Sequence, residues 1–343
     1  MSKTQKKSKT RPHTQKQKKL KRKSKKPEKP KTSKSKKSQK ASKTGKIEMS
    51  LENNPDILFV GHCTRDEITI NSKTEKIPGG GVYFGSMSAG YCSQSLKKTP
   101  LLTVLTIGNP EDLKEIKKEC DKAKVTLNIL PDKNTTTFCH SFIDNDPDKR
   151  ISTVPKIARS FTLNDIKDYK SKFTYVNPLF YGEIPSNLFK ELKKRTKLLS
   201  VDSQGLLRNL IKEKIIMKPP KEIKEIFKYI DILKVDLAEA KILTGKEDWE
   251  EACKDLIKMG VKFVICTRTD EVSVMDKNFE SNTAEFGEWS LIGRTGRGDT
   301  VSAAFIFMHF ILGMDRQNAL EISAKATGKK MMHSGAAKRK DFN

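Results

Sequence analysis

The chain has 343 residues, 35% of them hydrophobic, and a formal net charge of +26. That length suits one large domain or two small ones. The charge is unevenly held: residues 1–46 contain 21 Lys and Arg against the single acid Glu28, a net of +20, which leaves +6 for the other 297 residues. The longest apolar stretch, Val301 to Met314, includes His309 and is too short for a bilayer, and no apolar segment opens the chain. Neither a membrane span nor a secretory leader is therefore expected.

In chain order, residues 1–47 come first, rich in Lys, Ser, Thr, Gln and Pro. This composition cannot bury enough apolar surface to offset the entropy of ordering, and it reads as a disordered basic tail. Two roles suit it. One is a solvated extension; the other is non-specific nucleic-acid binding or nuclear targeting, through runs such as Lys18-Lys19-Leu20-Lys21-Arg22-Lys23. Residues 48–343 read as a single folded domain. Strands are expected at Asp56–Gly61, Leu101–Gly108, Val125–Leu130, Leu198–Val201, Ile232–Val235 and Val261–Cys266. Helices are expected at Glu111–Ala123, Asn187–Lys197 and Trp249–Met259. Strand and helix in alternation predict an α/β three-layer sandwich: a central, mostly parallel sheet with helices on both faces. Residues 67–77 and 135–152 break the alternation and predict exposed strands of a small β flap over one sheet edge. The six cysteines are scattered without a C-x-x-C pair, as in an intracellular protein, cytoplasmic or nuclear, with reduced thiols. His62-Cys63 and Cys139-His140 are neighbours in the chain, so on a strand they face opposite ways and make a poor zinc site.

The most informative segment is Ile292-Gly293-Arg294-Thr295-Gly296-Arg297-Gly298-Asp299-Thr300, followed by an apolar run to Leu312. The run predicts a buried helix starting near Asp299, whose free N–H groups would form an anion site. An Asp placed there can take a proton from a substrate hydroxyl during phosphoryl transfer. It can equally be an N-cap after a glycine turn, with no chemistry. The P-loop pattern, the G-x-G-x-x-G dinucleotide fingerprint after the first strand, and the protein-kinase catalytic loop are all absent from the sequence.

Gly296-Arg297-Gly298-Asp299 resembles the Gly-Ala-Gly-Asp signature of the ribokinase-like (PfkB) carbohydrate kinases, with Arg297 in place of the usual Ala. The resemblance implies Asp299 as catalytic base and Gly296, Arg297 and Gly298 as the anion hole. Val60-Gly61 followed by Asp66 looks like the family's first strand and substrate-binding Asp, and Pro78-Gly79-Gly80-Gly81 like its di-glycine hinge. Asp66, Gly79 and Gly80 are thereby implied as substrate-binding. Asp236-Leu237-Ala238-Glu239 resembles the Asn-x-x-Glu motif that helps position Mg²⁺, implying Glu239 and Asp236 as metal-site residues. Asp202 to Arg208 resembles a strand end followed by an Arg, implying Arg208, with Thr267, as contacts of the cofactor ATP.

Three positions depart from the family pattern. Phe84 stands where an Asn often meets the sugar, Thr267-Arg268-Thr269-Asp270-Glu271 lacks the glycines usual near the nucleotide, and Arg294 replaces an Asp before the signature Thr. The expectation is an ATP- and Mg²⁺-dependent kinase acting on a hydroxyl of a sugar, nucleoside or small polyol, as a monomer or homodimer. The rival expectation is a catalytically weak module of the same fold that binds nucleic acid through its tail.

Overall fold

The computed structural model describes residues 54–70, 73–142 and 150–343. The expected basic tail and the Asp-rich turn at 143–149 lie outside the described residues. Strand β1 (Ile57–Val60) has all four side chains buried, alternately on two faces: Ile57 and Phe59 join one core, Leu58 and Val60 the other. A strand buried on both faces belongs inside a parallel sheet covered by helices. β2 (Thr64–Ile70) and β3 (Lys73–Gly79) form a hairpin that leads into helix α1 (Gly81–Ser95). Then come β4 (Leu102–Gly108), α2 (Lys114–Lys122), β5 (Thr126–Pro131), β6 (Thr137–Phe142) and β7 (Arg150–Lys156).

The chain continues through α3 (Leu163–Ile166), β8 (Ser171–Val176), α4 (Ser186–Lys193), β9 (Thr196–Asp202), α5 (Gln204–Leu207), β10 (Arg208–Ile211) and β11 (Lys214–Met217). It ends in α6 (Ile223–Phe227), β12 (Ile232–Asp236), α7 (Leu237–Thr244), α8 (Trp249–Lys258), β13 (Phe263–Thr267), β14 (Glu271–Asp276), β15 (Ser281–Glu285), α9 (Arg297–Ile306), a π-helical turn at Phe307–Ile311, and α10 (Arg316–Met331).

Nine of these strands form one sheet, in the order β15-β14-β13-β12-β9-β8-β1-β4-β5. Pairing is parallel from β13 across to β5, and only the β13-β14-β15 edge is antiparallel. One face is covered by α1, α2, α9 and α10, the other by α3, α4, α6, α7 and α8. The predicted three-layer sandwich is thus the observed one.

The second sheet, in the order β10-β11-β7-β6-β2-β3, is the flap. It is larger than the sequence suggested, because the hairpin of β10 and β11 extends it. The flap strands are also less exposed than expected: Phe138 is buried with Val154, Leu179 and Phe180 in a small core of the flap's own. At its root His62 is fully buried, with Nδ1 2.9 Å from Thr136 Oγ1 and Nε2 3.1 Å from the Arg159 carbonyl. Burial pushes its imidazole down to about 4, so it stays neutral and structural.

Asp231, buried at the start of β12, holds the other end of the sheet. It accepts from Lys193, from Lys262 at 2.8 Å and from the Leu199 N–H at 2.8 Å. Burial alone would raise its carboxyl, but these donors outweigh burial and hold it below the usual carboxylate range. A depressed folded pKa stabilises the fold above the unfolded value of about 3.9 and ceases to do so as pH falls through the folded value. Asp231→Asn is expected to lower stability by about 1–3 kcal/mol at neutral pH. The difference in Tm from the wild type should shrink below about pH 4. A pH series of thermal melts on both proteins checks this; a constant difference would contradict it.

Candidate active site

The C-terminal ends of β8, β9, β12 and β13 lie side by side, and the loops that follow them face the N-terminus of α9. This is where an open parallel sheet receives ligands. The helix begins at Arg297, not at Asp299, and its cap is Gly296 in the left-handed conformation (φ 78°), which glycine adopts freely. Asp299 is therefore the third helical residue, so the N-cap reading does not hold. Its carboxylate instead accepts a 2.5 Å hydrogen bond from Asn177 Nδ2. The Arg297 N–H donates to the Arg294 carbonyl, while the N–H groups of Gly298 and Asp299 lie in the first turn, where a helix supplies no acceptor of its own.

Asn177 follows β8 directly and joins the parts of the site. Its Nδ2 also lies 3.5 Å from Asp202 Oδ2, and its Oδ1 accepts from Gln204 Nε2 at 2.9 Å. Asp202, at the end of β9, is fully buried and paired at 3.1 Å with Lys234 Nζ, which rises from within β12. Burial alone would lower the Lys234 ammonium, but Asp202, Glu239, Asp299 and Asp236 around it raise it, so it stays charged. Burial raises both Asp202 and Asp299 above the ordinary carboxylate range, with Lys234 working against it in each. Asp299 is thus a carboxylate of increased basicity.

Asp236 and Glu239 sit beside this cluster in a reciprocal cap of α7. Glu239 N donates to Asp236 Oδ1 at 2.7 Å, and Asp236 N to Glu239 Oε2 at 2.9 Å, an oxygen that also accepts from Ser203 Oγ at 2.8 Å. Burial pushes Glu239 up to about 7. No group of three or more His, Cys, Asp or Glu side chains suited to a metal occurs among the described residues. Thr267 is buried at the end of β13, with Oγ1 3.5 Å from the Val235 carbonyl, and it neighbours Gly298. Arg208 opens β10 in the flap, and its charge is felt at Asp299.

The acceptor-side residues come together at the β2-β3 hairpin, where Thr64 pairs with Gly79 and Asp66 with Ile77. A Cβ on Gly79 would lie 2.3 Å from Asp66 Oδ2 and 2.5 Å from Thr64 Oγ1, so only glycine lets these side chains share that space. The Thr64 hydroxyl is buried with no hydrogen-bond partner among the described residues. Gly80 takes φ 98° and turns the chain into α1, where Gly81 packs directly on the Asn177 amide. The chain of contacts from Asp66 through Gly79–Gly81 to Asn177 and Asp299 is therefore continuous. A groove lined by Arg65, Glu67, Lys76, Glu115, Lys118 and Lys156 runs between flap and α2. Arg65 and Glu67 flank Asp66 on β2, so this groove lies on the opposite side of the flap.

Sequence reasoning missed Asn177, Lys234, Thr64 and Lys330. A lysine inside the apolar run Ile232–Val235 was the legible signal for one of them, since a charge within an inner strand needs a partner. The Asn177-Pro178 step after a strand-like segment was a weaker one.

Comparison with known proteins agrees with this fold. The family model described as "pfkB family carbohydrate kinase" matches residues 45–339. A solved structure described as a pyrophosphate-dependent kinase in the ribokinase family, complexed with a pyrophosphate analog and myo-inositol, is similar at 32% identity and TM-score 0.75. The match covers 83% of this chain and 98% of that one. A sulfate complex of a pyrophosphate-dependent kinase in the ribokinase family is similar at 33% identity and TM-score 0.76, over 83% and 98% of the two chains. Ribokinase from Arabidopsis thaliana, complexed with ribose and ATP, shares the fold at 17% identity and TM-score 0.64, over 84% and 98%. The signature helix, the parallel sheet and the matched span lead to one assignment: the chain belongs to the pfkB family of carbohydrate kinases.

Proposed function

We propose that this kinase transfers a phosphoryl group from pyrophosphate to a hydroxyl of a cyclic polyol of the inositol class. Asp299 acts as the base. Its Oδ1 is held by Asn177, which leaves Oδ2 to take the acceptor proton as the oxygen attacks. The raised proton affinity of this buried carboxylate suits that task. Lys234 and the first-turn N–H groups of α9 offset the negative charge of the group in transit. Asp66, Thr64 and the backbone at Gly79–Gly80 supply acceptor and donor groups for the polyol hydroxyls.

Asp236 and Glu239 fit a Mg²⁺ ion held partly through water. They are hard oxygen donors, and with Asp202 they crowd one ammonium, Lys234. The ion would neutralise charge on the leaving phosphate.

The donor assignment rests on one observation. The loop after β13 has no glycine, and two guanidinium groups occupy its surroundings. Arg268 stacks on Trp249 at 4.5 Å, and Arg297 reaches across from the anion loop to the Thr269 carbonyl at 2.8 Å while lying over Phe286. An adenine needs an open apolar surface there; a compact inorganic anion suits a short slot walled by arginine. Similarity at 31–33% identity to kinases described as pyrophosphate-dependent supports this reading, and so does the description of two of them with myo-inositol.

The test is turnover over a panel of myo-inositol, ribose, a hexose and adenosine, with pyrophosphate or ATP. Polyol-dependent release of orthophosphate should have a kcat/KM at least about tenfold above that with ATP. Faster ADP formation would sink the donor reading, and no acceptor-dependent turnover with either donor would sink the kinase reading. Gly298→Ala tests the role of Lys234. A Cβ there would lie 2.8 Å from Lys234 Cε and 2.9 Å from Nζ, so the flexible lysine tip must move. Tm should stay within about 3 °C, while pyrophosphate affinity falls about 10- to 100-fold by calorimetry. Unchanged affinity would remove Lys234 from the donor site.

A further inference from the structure

Lys330 lies in the last turn of α10 and is fully buried. A buried ammonium is costly unless it is paired. Among the described residues no carboxylate stands within ion-pair distance of it. Its Nζ instead donates to the Gly293 carbonyl at 2.6 Å and to the Thr295 carbonyl, and it lies 5.4 Å from the centre of the Phe84 ring. Both carbonyls belong to the turn that leads into α9. The same Phe84 ring packs on Gly296, where a Cβ would come within 2.4 Å of it. One ammonium and one ring therefore clasp three of the four residues that precede the helix start at Arg297.

We propose that the Lys330 ammonium is a built-in cation that shapes the 293–296 turn, acting as a positioning residue for the N–H groups that receive the transferred phosphoryl group. This rests on the kinase reading above. The carbonyl oxygens of residues 293 and 295 point inward to Lys330, as carbonyls point to a bound cation, and this fixes the turn from which α9 starts, and with it the place of the Gly298 and Asp299 N–H groups. Without the ammonium, two buried carbonyls lose their donor and the turn has no reason to keep that shape. The position explains Phe84 as well: a polar residue there would remove the aromatic face on which both the ammonium and Gly296 rest. Burial pushes the ammonium down to about 8, against the pull of Asp299 and Asp341.

The experiment uses Lys330→Met, of similar length, and Lys330→Ala, with sulfate and pyrophosphate affinity read by calorimetry alongside Tm and turnover. Affinity for both anions should fall at least about tenfold in each variant, with kcat falling by a similar factor and the acceptor KM within about threefold. n-Propylammonium replaces the three methylenes and the ammonium removed by Lys330→Ala. It should restore anion affinity and turnover in that variant and leave the wild type unchanged; tetramethylammonium, which cannot donate, should do neither. Wild-type anion affinity in either folded variant would overturn the proposal. So would propylammonium restoring Tm without anion affinity, the mark of a merely structural lysine. Anion affinity is read without any acceptor, so a wild type that binds pyrophosphate but phosphorylates no polyol would refute the kinase reading and leave this test standing.

Discussion

The carboxylate cluster of the site depends on one buried ammonium, Lys234. Lys234 rises from an inner strand of the sheet into a group of four carboxylates, Asp202, Asp236, Glu239 and Asp299, and pairs directly with the first. Each carboxylate is costly to bury alone, and together they would repel one another. The lysine makes the cluster tolerable, but it does not neutralise it. Burial raises Asp299, Asp202 and Glu239 toward protonation, and at Asp202 and Glu239 the neighbouring carboxylates add to it. Burial is what would give the proposed base at Asp299 its strength, and the crowded carboxylates are what a dication near Glu239 would meet.

The sheet makes this cluster possible. Adjacent parallel strands end at the same level, so Asn177 after β8, Asp202 closing β9, Asp236 closing β12 and Thr267 closing β13 form one row. The helix N-terminus at Gly296–Asp299 faces that row from the layer that carries α1 and α10. Ser88 Oγ of α1 donates to the Thr300 carbonyl at 2.7 Å, and Lys330 of α10 holds the preceding turn. The 293–300 segment is thus fixed by its two neighbouring helices, and the β2-β3 hairpin is fixed through Gly81 and Asn177. The two halves of the proposed site meet at one amide side chain, that of Asn177.

Much of this was legible in the sequence. The inner strands announced themselves as short apolar runs, and the Gly-Arg-Gly-Asp segment before a long apolar stretch marked the start of a buried helix and offered a candidate base. Their meaning came from short-range patterns that a single sequence carries. Partners distant in the chain did not: Asn177 and Asp299 are 122 positions apart, and nothing local to either predicts the bond. Ser171–Val176 alternates Lys, Phe, Thr and Tyr and lacks the aliphatic run by which the other inner strands were recognised, so β8 and its terminal Asn177 went unread. The β10-β11 hairpin escaped for a similar reason, since four of the ten residues Arg208–Met217 are charged and its apolar residues are partly exposed. The role of Asp299 as N-cap or base was open in the sequence, because it depended on where the helix starts. Gly296, with its positive φ, moved that start two residues upstream of Asp299.

The claim on which the account turns is that Asp299 accepts the proton of the attacking hydroxyl. Asp299→Asn is nearly isosteric, and Asp299 caps nothing, so the helix and the anion loop should survive the change. Single-turnover phosphorylation of myo-inositol, with pyrophosphate affinity measured on the same sample, isolates the chemical step. The account predicts a fall of about 10²–10⁴-fold in that step with donor affinity within a few-fold of the wild type. A variant that transfers phosphoryl at close to the wild-type rate would contradict it.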